Sequence, residues 1–192
     1  RIGGNVNWYL TNTTDLLLAR TISAVHGITS IVQNIGETQN NGLEISVNSR
    51  NIVAGNFQWS TTANLSWNKN KITSLYGLLD KDGKEIDDIA NRWFIGKPIT
   101  VNYDFVWNGV WQENEAEEAS KWGSKPGYVK LLDVNGDLKL SGEDRQIIGQ
   151  RDPKFLWGLS NTFSYKNISL TIFIHGVHGI TKYNPYMRDD VL

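Results

Sequence analysis

The chain contains no cysteine, which excludes disulfide staples, thiolate metal sites and cysteine nucleophiles together. It also lacks an excess of either charge: 19 Lys and Arg stand against 20 Asp and Glu, with no basic run and no interleaved basic and aromatic stripe. A nucleic-acid-binding surface therefore has no footprint. No apolar run approaches the ~20 residues of a membrane helix, and Arg1 leads directly into strand-like sequence with no signal peptide. The chain is either soluble or crosses a membrane by another route.

Aromatic side chains are abundant: eight Trp, seven Tyr and six Phe in a chain of 192 residues. Core packing, sugar-stacking platforms and the interfacial girdles of a membrane barrel all use them. Their placement along the strands separates these readings. In "FQWSTTANLSW" Phe57, Trp59, Thr61, Ala63, Leu65 and Trp67 share one face, opposite Gln58, Ser60, Thr62, Asn64 and Ser66. The same alternation sets Leu43, Ile45 and Val47 against Glu44, Ser46, Asn48 and Arg50. It also sets Phe155, Trp157, Leu159 and Phe163 against Gly158, Ser160, Thr162 and Ser164. "ISLTIFIH" and "GNVNWYL" repeat the pattern. A period of two with one apolar and one polar face defines antiparallel strands. Aromatic residues near both ends of the apolar face are what a lipid-facing band requires, over the roughly 9–11 residues of a tilted crossing.

Turn lengths supply an independent argument. Residues 54–56 and 166–167 read as very short turns and "TNTT" (11–14) as nearly as short, while 23–35 and 77–152 read as long excursions. Six crossings, about 2–10, 15–22, 37–53, 57–75, 155–165 and 168–176, place the short turns at one end and the excursions at the other, as in outer-membrane barrels. The segment "ITVNYDFVWNGVW" (99–111) must then stay outside the membrane. Within 77–152 a short helix is expected, with Asn114 as N-cap, a Glu117–Lys121 pair and Gly123 beyond its end. The excursion's exposed aromatics are expected to include Trp107, Trp111 and Trp122.

"DVNGDLKLSGED" carries the chain's one metal-like spacing. Counted from Asp133, oxygen donors fall at positions 1 (Asp133), 3 (Asn135), 5 (Asp137), 9 (Ser141) and 12 (Asp144), with the Lys139 backbone carbonyl at 7. Hard cations need such a nest on a loop that folds back, so calcium is the expected ligand. Leu138 occupies the position where the motif has Gly, and the alternative is a set of Asx turns bonded to their own backbone. His175 and His178 are three apart and fall on opposite faces of a strand, against a zinc site. Asp87 with Asp88, and Asp189 with Asp190, read as solvated loop charge, and no Ser, His and Asp set indicates an enzyme.

Taken together, "VNWYLTNTTDLLL", "NIGETQNNGLEISV", "FQWSTTANLSWNKNKITSLYG", "WFIGKPI", "GVWQENEAEEASKWGSKPG" and "DVNGDLKLSGEDRQIIGQRDPKFLWGLSNTFSYKNISLTIFIHGVHG" resemble, in order, the SusC/RagA family of TonB-dependent outer-membrane transporters. The resemblance implies an all-β chain: roughly six antiparallel strands of a 22-stranded transmembrane barrel with long extracellular loops, in a carboxy-proximal part of it. Residues 1–192 would be one stretch of the barrel domain, with 77–152 as an extracellular excursion that contributes to contact with the lid. It further implies residence in the lipid outer membrane, a SusD-like lipoprotein lid, and oligosaccharide or peptide import energised by TonB. The plug and TonB box have no counterpart here, and "YNPYMRDDVL" ends without barrel-closing strands, so a fragment is expected. The competing expectation is a soluble extracellular β-sandwich that binds glycan through exposed Trp.

Overall fold

A computed structural model describes residues 1–21, 27 and 29–182. Asp189 and Asp190 lie outside the described residues. The chain divides into two compact units, one of 1–100 with 151–192 and one of 101–150.

The first unit is built on a five-stranded antiparallel sheet ordered β1(Ile2–Thr21), β2(Ser30–Ala54), β3(Phe57–Ser74), β8(Phe155–Tyr165) and β9(Ile168–His178). The polar run at 11–14 is not a turn. It continues β1, because β2 already begins at Ser30, inside the stretch expected as an excursion, and its residues 30–41 pair with β1, Thr11 with Asn40 and Thr13 with Thr38. The irregularity beyond Thr13 is absorbed by Asp15 at φ 58°, a backbone conformation that Asp tolerates better than most residues. Two expected crossings are thus one strand of 20 residues. The end asymmetry survives: Gly55–Asn56 and Lys166–Asn167 turn at one end of the sheet, and the strand ends at Thr21, Ser30, Ser74 and Phe155 lie toward the other.

Cross-strand register carries the alternation of single strands into two continuous faces. One row runs Val6, Ile45, Leu65, Trp157, Gly176, and the next runs Trp8, Leu43, Trp67, Phe155, His178. On the opposite face lie Asn5, Ser46, Asn64, Gly158 and His175. Nothing among the described residues covers the apolar face, where Val6 is 69 % exposed, Trp8 64 % and Leu170 57 %. A β-sandwich would bury that face under a second sheet, so the sandwich expectation does not fit.

Above Trp67, β3 loses β8 as a neighbour and the chain supplies a replacement. Residues 95–99 run alongside β3, where the Ile72 N–H donates to the Lys97 carbonyl (2.9 Å), Gly96 N–H to the Ile72 carbonyl (2.8 Å) and Ile99 N–H to Asn70 Oδ1 (2.9 Å). This covers an edge that would otherwise present unpaired backbone groups, and it encloses a small core of Ile72, Leu75 and Phe94.

The second unit contains β4(Val101–Asp104) paired with β7(Gln146–Gln150), β5(Trp107–Val110) paired with β6(Val129–Leu131), and α1(Ala116–Lys121). Residues 99–111 therefore contribute no strand to the large sheet. The helix differs from expectation at its start. A 3-10 turn, Glu113–Glu115, precedes it, with a reciprocal cap between Gln112 and Glu115 rather than an Asn114 cap. Lys121 pairs with Glu118 (2.9 Å) rather than Glu117. Gly123, at φ 64°, follows its end as expected.

Candidate functional site

The polar face is a wall of hydroxyl and amide groups that satisfy one another along the ladder. Thr62 donates to Asn48 (2.9 Å), Thr162 and Thr171 share a hydrogen bond (3.2 Å), and so do Ser164 and Ser169 (3.2 Å). Glu44 receives Asn7 (3.5 Å) and, with Arg50, brings charge to a face made mainly of Asn, Gln, Ser, Thr and Gly, with Tyr9, Val53, Leu156, Phe173, His175 and Val177. Tyr9 lies over Gly42 and its hydroxyl donates to Asn68 Oδ1 (3.3 Å). A Cβ at Gly42 would sit 2.4 Å from the Tyr9 ring and 2.8 Å from the Trp67 carbonyl oxygen, so only glycine lets the ring lie flat there. His175 stacks on Phe173 on this face and His178 stacks on Phe155 on the other, which keeps the two imidazoles apart.

At the end of the sheet opposite the short turns, carboxylates organise residues 75–95. Glu85 accepts the N–H groups of Leu75 and Gly77 (both 2.7 Å) and the Ser74 hydroxyl (3.1 Å). Burial alone would push its carboxyl up, but these donors outweigh burial and hold it below the usual carboxylate value. Asp88 accepts the Tyr76 hydroxyl (2.6 Å), the Asn91 N–H (2.9 Å) and the Asn91 amide (2.8 Å). Burial again opposes these donors and loses, so Asp88 is also lowered. The Tyr76 hydroxyl is pushed up to about 12, first by burial and then by its hydrogen bond to Asp88. Asp87 accepts the Ile95 N–H (2.7 Å). Asp88 is therefore a half-buried structural acceptor rather than the solvated charge expected of it, while Asp87 accepts one N–H and stays exposed. An apolar recess of about 80 Å³ lies beside this segment, lined by Leu16, Leu18, Ile72, Leu75, Trp93 and Ile99 among others.

In the second unit the 133–144 loop folds on its own side chains. Asp133 accepts the N–H groups of Gly136 (2.7 Å) and Leu138 (3.0 Å), one on each oxygen. Asn135 accepts that of Asp137 (3.0 Å), and Asp137 that of Lys139 (2.8 Å). Ser141 caps a 3-10 turn, Gly142–Asp144, by accepting the Glu143 N–H (3.1 Å). Asp144 is fully buried and accepts the N–H groups of Ser141 (2.8 Å) and Val134 (3.0 Å), which, in that order, hold its carboxyl below the usual value. Leu138 adopts φ 62°, the conformation that Gly supplies at this place in the motif, at a cost of roughly 1–2 kcal/mol. Among the described residues, no three His, Asp or Glu side chains converge as cation ligands. Of the expected exposed aromatics, Trp107 is 68 % exposed, whereas Trp111 is buried at 5 %, packed on Trp122 with Lys130 over its ring.

An uncovered apolar face with an aromatic row near each end, a polar opposite face, and short turns confined to one end make the sheet a sector of a membrane-spanning β-barrel. No family model matches the chain. Over 98 % of its length it is 35 % identical to TonB-dependent receptor P26 of Formosa agariphila, and over 89 % it is 30 % identical to TonB-dependent receptor SusC of Bacteroides thetaiotaomicron. It spans about a fifth of the length of these relatives, 20 % and 17 %. The solved RagAB peptide importer in its "open-open" state shares the fold with a TM-score of 0.72 at 22 % identity, over 94 % of this chain and 19 % of that one. The chain belongs to the SusC-type TonB-dependent receptors, which are outer-membrane proteins.

Proposed function

We propose that the chain contributes five neighbouring strands to the barrel of a TonB-dependent importer of uncharged polar solutes, oligosaccharides or peptides, working beneath a SusD-like lipoprotein lid. The observation that carries this reading is the inner wall. Asn5, Asn48, Thr62, Asn64, Ser160 and Thr162 offer hydrogen-bond donors and acceptors without a field of one sign. Such a wall exchanges hydrogen bonds with sugar hydroxyls or peptide amides as a solute passes, and holds none of them tightly. The name of the RagAB importer supports peptides as one of the two classes. Deletion of the full-length gene should abolish growth on a particular oligosaccharide or peptide as carbon source. Growth should return with the wild-type gene, and tagged full-length protein should co-purify with a SusD-like lipoprotein. Unaltered growth on every glycan and peptide tested would refute import of these classes.

For the 133–144 loop, calcium remains the proposed ligand. Asp133, Asn135 and Asp137 already spend lone pairs on the loop's backbone, so an ion would have to share those oxygens. The affinity should therefore lie at the extracellular end of the range, about 10⁻⁴–10⁻³ M. The left-handed turn at Leu138 supports the reading, since cation loops of this spacing fold back at that position.

A further inference from the structure

The outward face carries one polar interruption near its short-turn end. Ser49 donates to Asn51 Oδ1 (2.8 Å), Asn51 Nδ2 donates to Thr61 Oγ1 (2.7 Å), and Thr61 donates to Asn161 Oδ1 (2.7 Å). Trp59 Nε1 donates to the same Asn161 oxygen (3.1 Å). The network spans β2, β3 and β8. A register shift between Arg50 and Ile52 inserts Asn51 between two outward pairs, Ser49 with Thr61 and Ile52 with Trp59, and so adds its amide to this face.

The direction of every bond in the network is fixed. An indole N–H can only donate, so the Asn161 atom facing Trp59 is its oxygen. That oxygen has no proton, so Thr61 must donate to it and accept from the Asn51 nitrogen, which leaves the Asn51 oxygen to accept from Ser49. Both amide oxygens are thereby engaged. The unspent donors of the network are amide N–H groups: the Asn161 amide nitrogen makes no hydrogen bond among the described residues, and Asn51 keeps a second N–H.

The network lies one step toward the membrane centre from the Trp59–Phe163 pair, on the side of the short turns, which is the periplasmic side. Because β3 is paired on both flanks there, no further strand can reach it. Amide donors left unmade against hydrocarbon are costly. At this depth the ester carbonyls of a diacyl phospholipid offer acceptors and no proton, which complements the unspent N–H groups of Asn161 and Asn51.

We propose that Asn161, with Asn51, binds the ester-carbonyl region of a phospholipid of the periplasmic leaflet, forming a defined lipid site on the outer wall across β2, β3 and β8. The site rests on the reading that this face meets lipid. Lys166, in the turn after β8, lies 5.5 Å over the Tyr165 ring at the same end, where the lipid's phosphate would be.

The test is native mass spectrometry of the purified full-length transporter titrated with diacyl and with dialkyl phosphatidylethanolamine of equal chain length, the second lacking ester carbonyls. Wild type should hold one diacyl molecule about fivefold more tightly than the dialkyl form. Asn161→Leu should lose that preference, Asn51→Ala should weaken it, and Ser160→Ala, on the opposite face, should keep it. Heat-modifiable migration on gels reports folding, and Asn51→Ala carries the test if Asn161→Leu does not fold. Equal retention of both lipids by wild type, or a preference undiminished in the folded variants, would overturn the site while leaving the outward assignment standing. Retention of neither lipid would overturn both.

Discussion

Trp59 and Phe163 stack across β3 and β8 with ring centroids 5.6 Å apart and planes 20° from parallel. Trp67 faces Phe155 further along the same two strands. From Trp59 to Trp67 is about 26 Å of strand at ~3.3 Å per residue, which at the ~35–45° tilt of barrel strands rises about 19–22 Å through an apolar band about 25 Å tall. If the lower aromatic row anchors the barrel, Trp59→Phe keeps the stack, loses the N–H to Asn161 and should cost about 1 kcal/mol. Trp59→Ala should cost about 2 kcal/mol or more. The unfolding midpoint of the full-length protein, read by heat-modifiable electrophoresis, checks both; unshifted midpoints would remove the anchoring role.

Gly42 should resist replacement because of Tyr9. Gly42→Ala is expected to displace the ring, break its hydrogen bond to Asn68 and destabilise the barrel by about 1–3 kcal/mol. In a Tyr9→Ala background the same change should cost clearly less, though the Trp67 carbonyl still crowds the site. Additive costs would show that the ring and the glycine are independent.

The 75–95 segment should be acid-labile. Glu85 and Asp88 have folded pKa values below their ordinary ones, so their stabilisation is complete above the ordinary carboxylate value, about pH 4. It is lost as pH falls from there through the lower folded values. Pepsin should therefore cut this segment of the full-length protein increasingly below about pH 4. Glu85→Gln should expose it to trypsin already at neutral pH, near Lys81 and Lys84. An unchanged neutral digest would mean that the three donors on Glu85 do not hold the segment.

The 133–144 loop should respond to Asp144 first. Asp144→Ala leaves the Ser141 and Val134 N–H groups without their acceptor inside a buried site, so proteolysis between residues 112 and 152 should rise with or without calcium. Asp137→Ala should raise it more when calcium is present than when it is absent, because it removes a ligand as well as the acceptor of the Lys139 N–H. If chelation and Asp137→Ala both leave the wild-type digestion pattern unchanged, the loop is a turn held by its own side chains.

The strand faces were legible in the sequence because their alternation is local: Leu65 and Asn64 need no partner to declare their sides. The length of β1 was not, because a polar run such as 11–14 becomes strand only when β2 extends to meet it. Asn51 was equally hidden, since a register shift is a property of two strands and leaves no period in one of them. At 133–144 the spacing of oxygens was visible at once. Their use as backbone acceptors was not, because Asx turns and cation loops draw on the same residues. Glu85 gave no signal at all; its three donors come from residues 74–77, joined to it by a turn whose closure the sequence does not display.

The central claim is that alternate residues of the five strands face lipid and solute. Nitroxide labels at Leu65 and at Asn64 of the full-length protein in bilayers test it most directly, because the two are neighbours on β3 that differ only in face. The label at position 65 should collide readily with dissolved oxygen and poorly with a water-soluble nickel chelate, and the label at 64 should do the reverse. Equal access at the two positions, or the opposite order, would contradict the account.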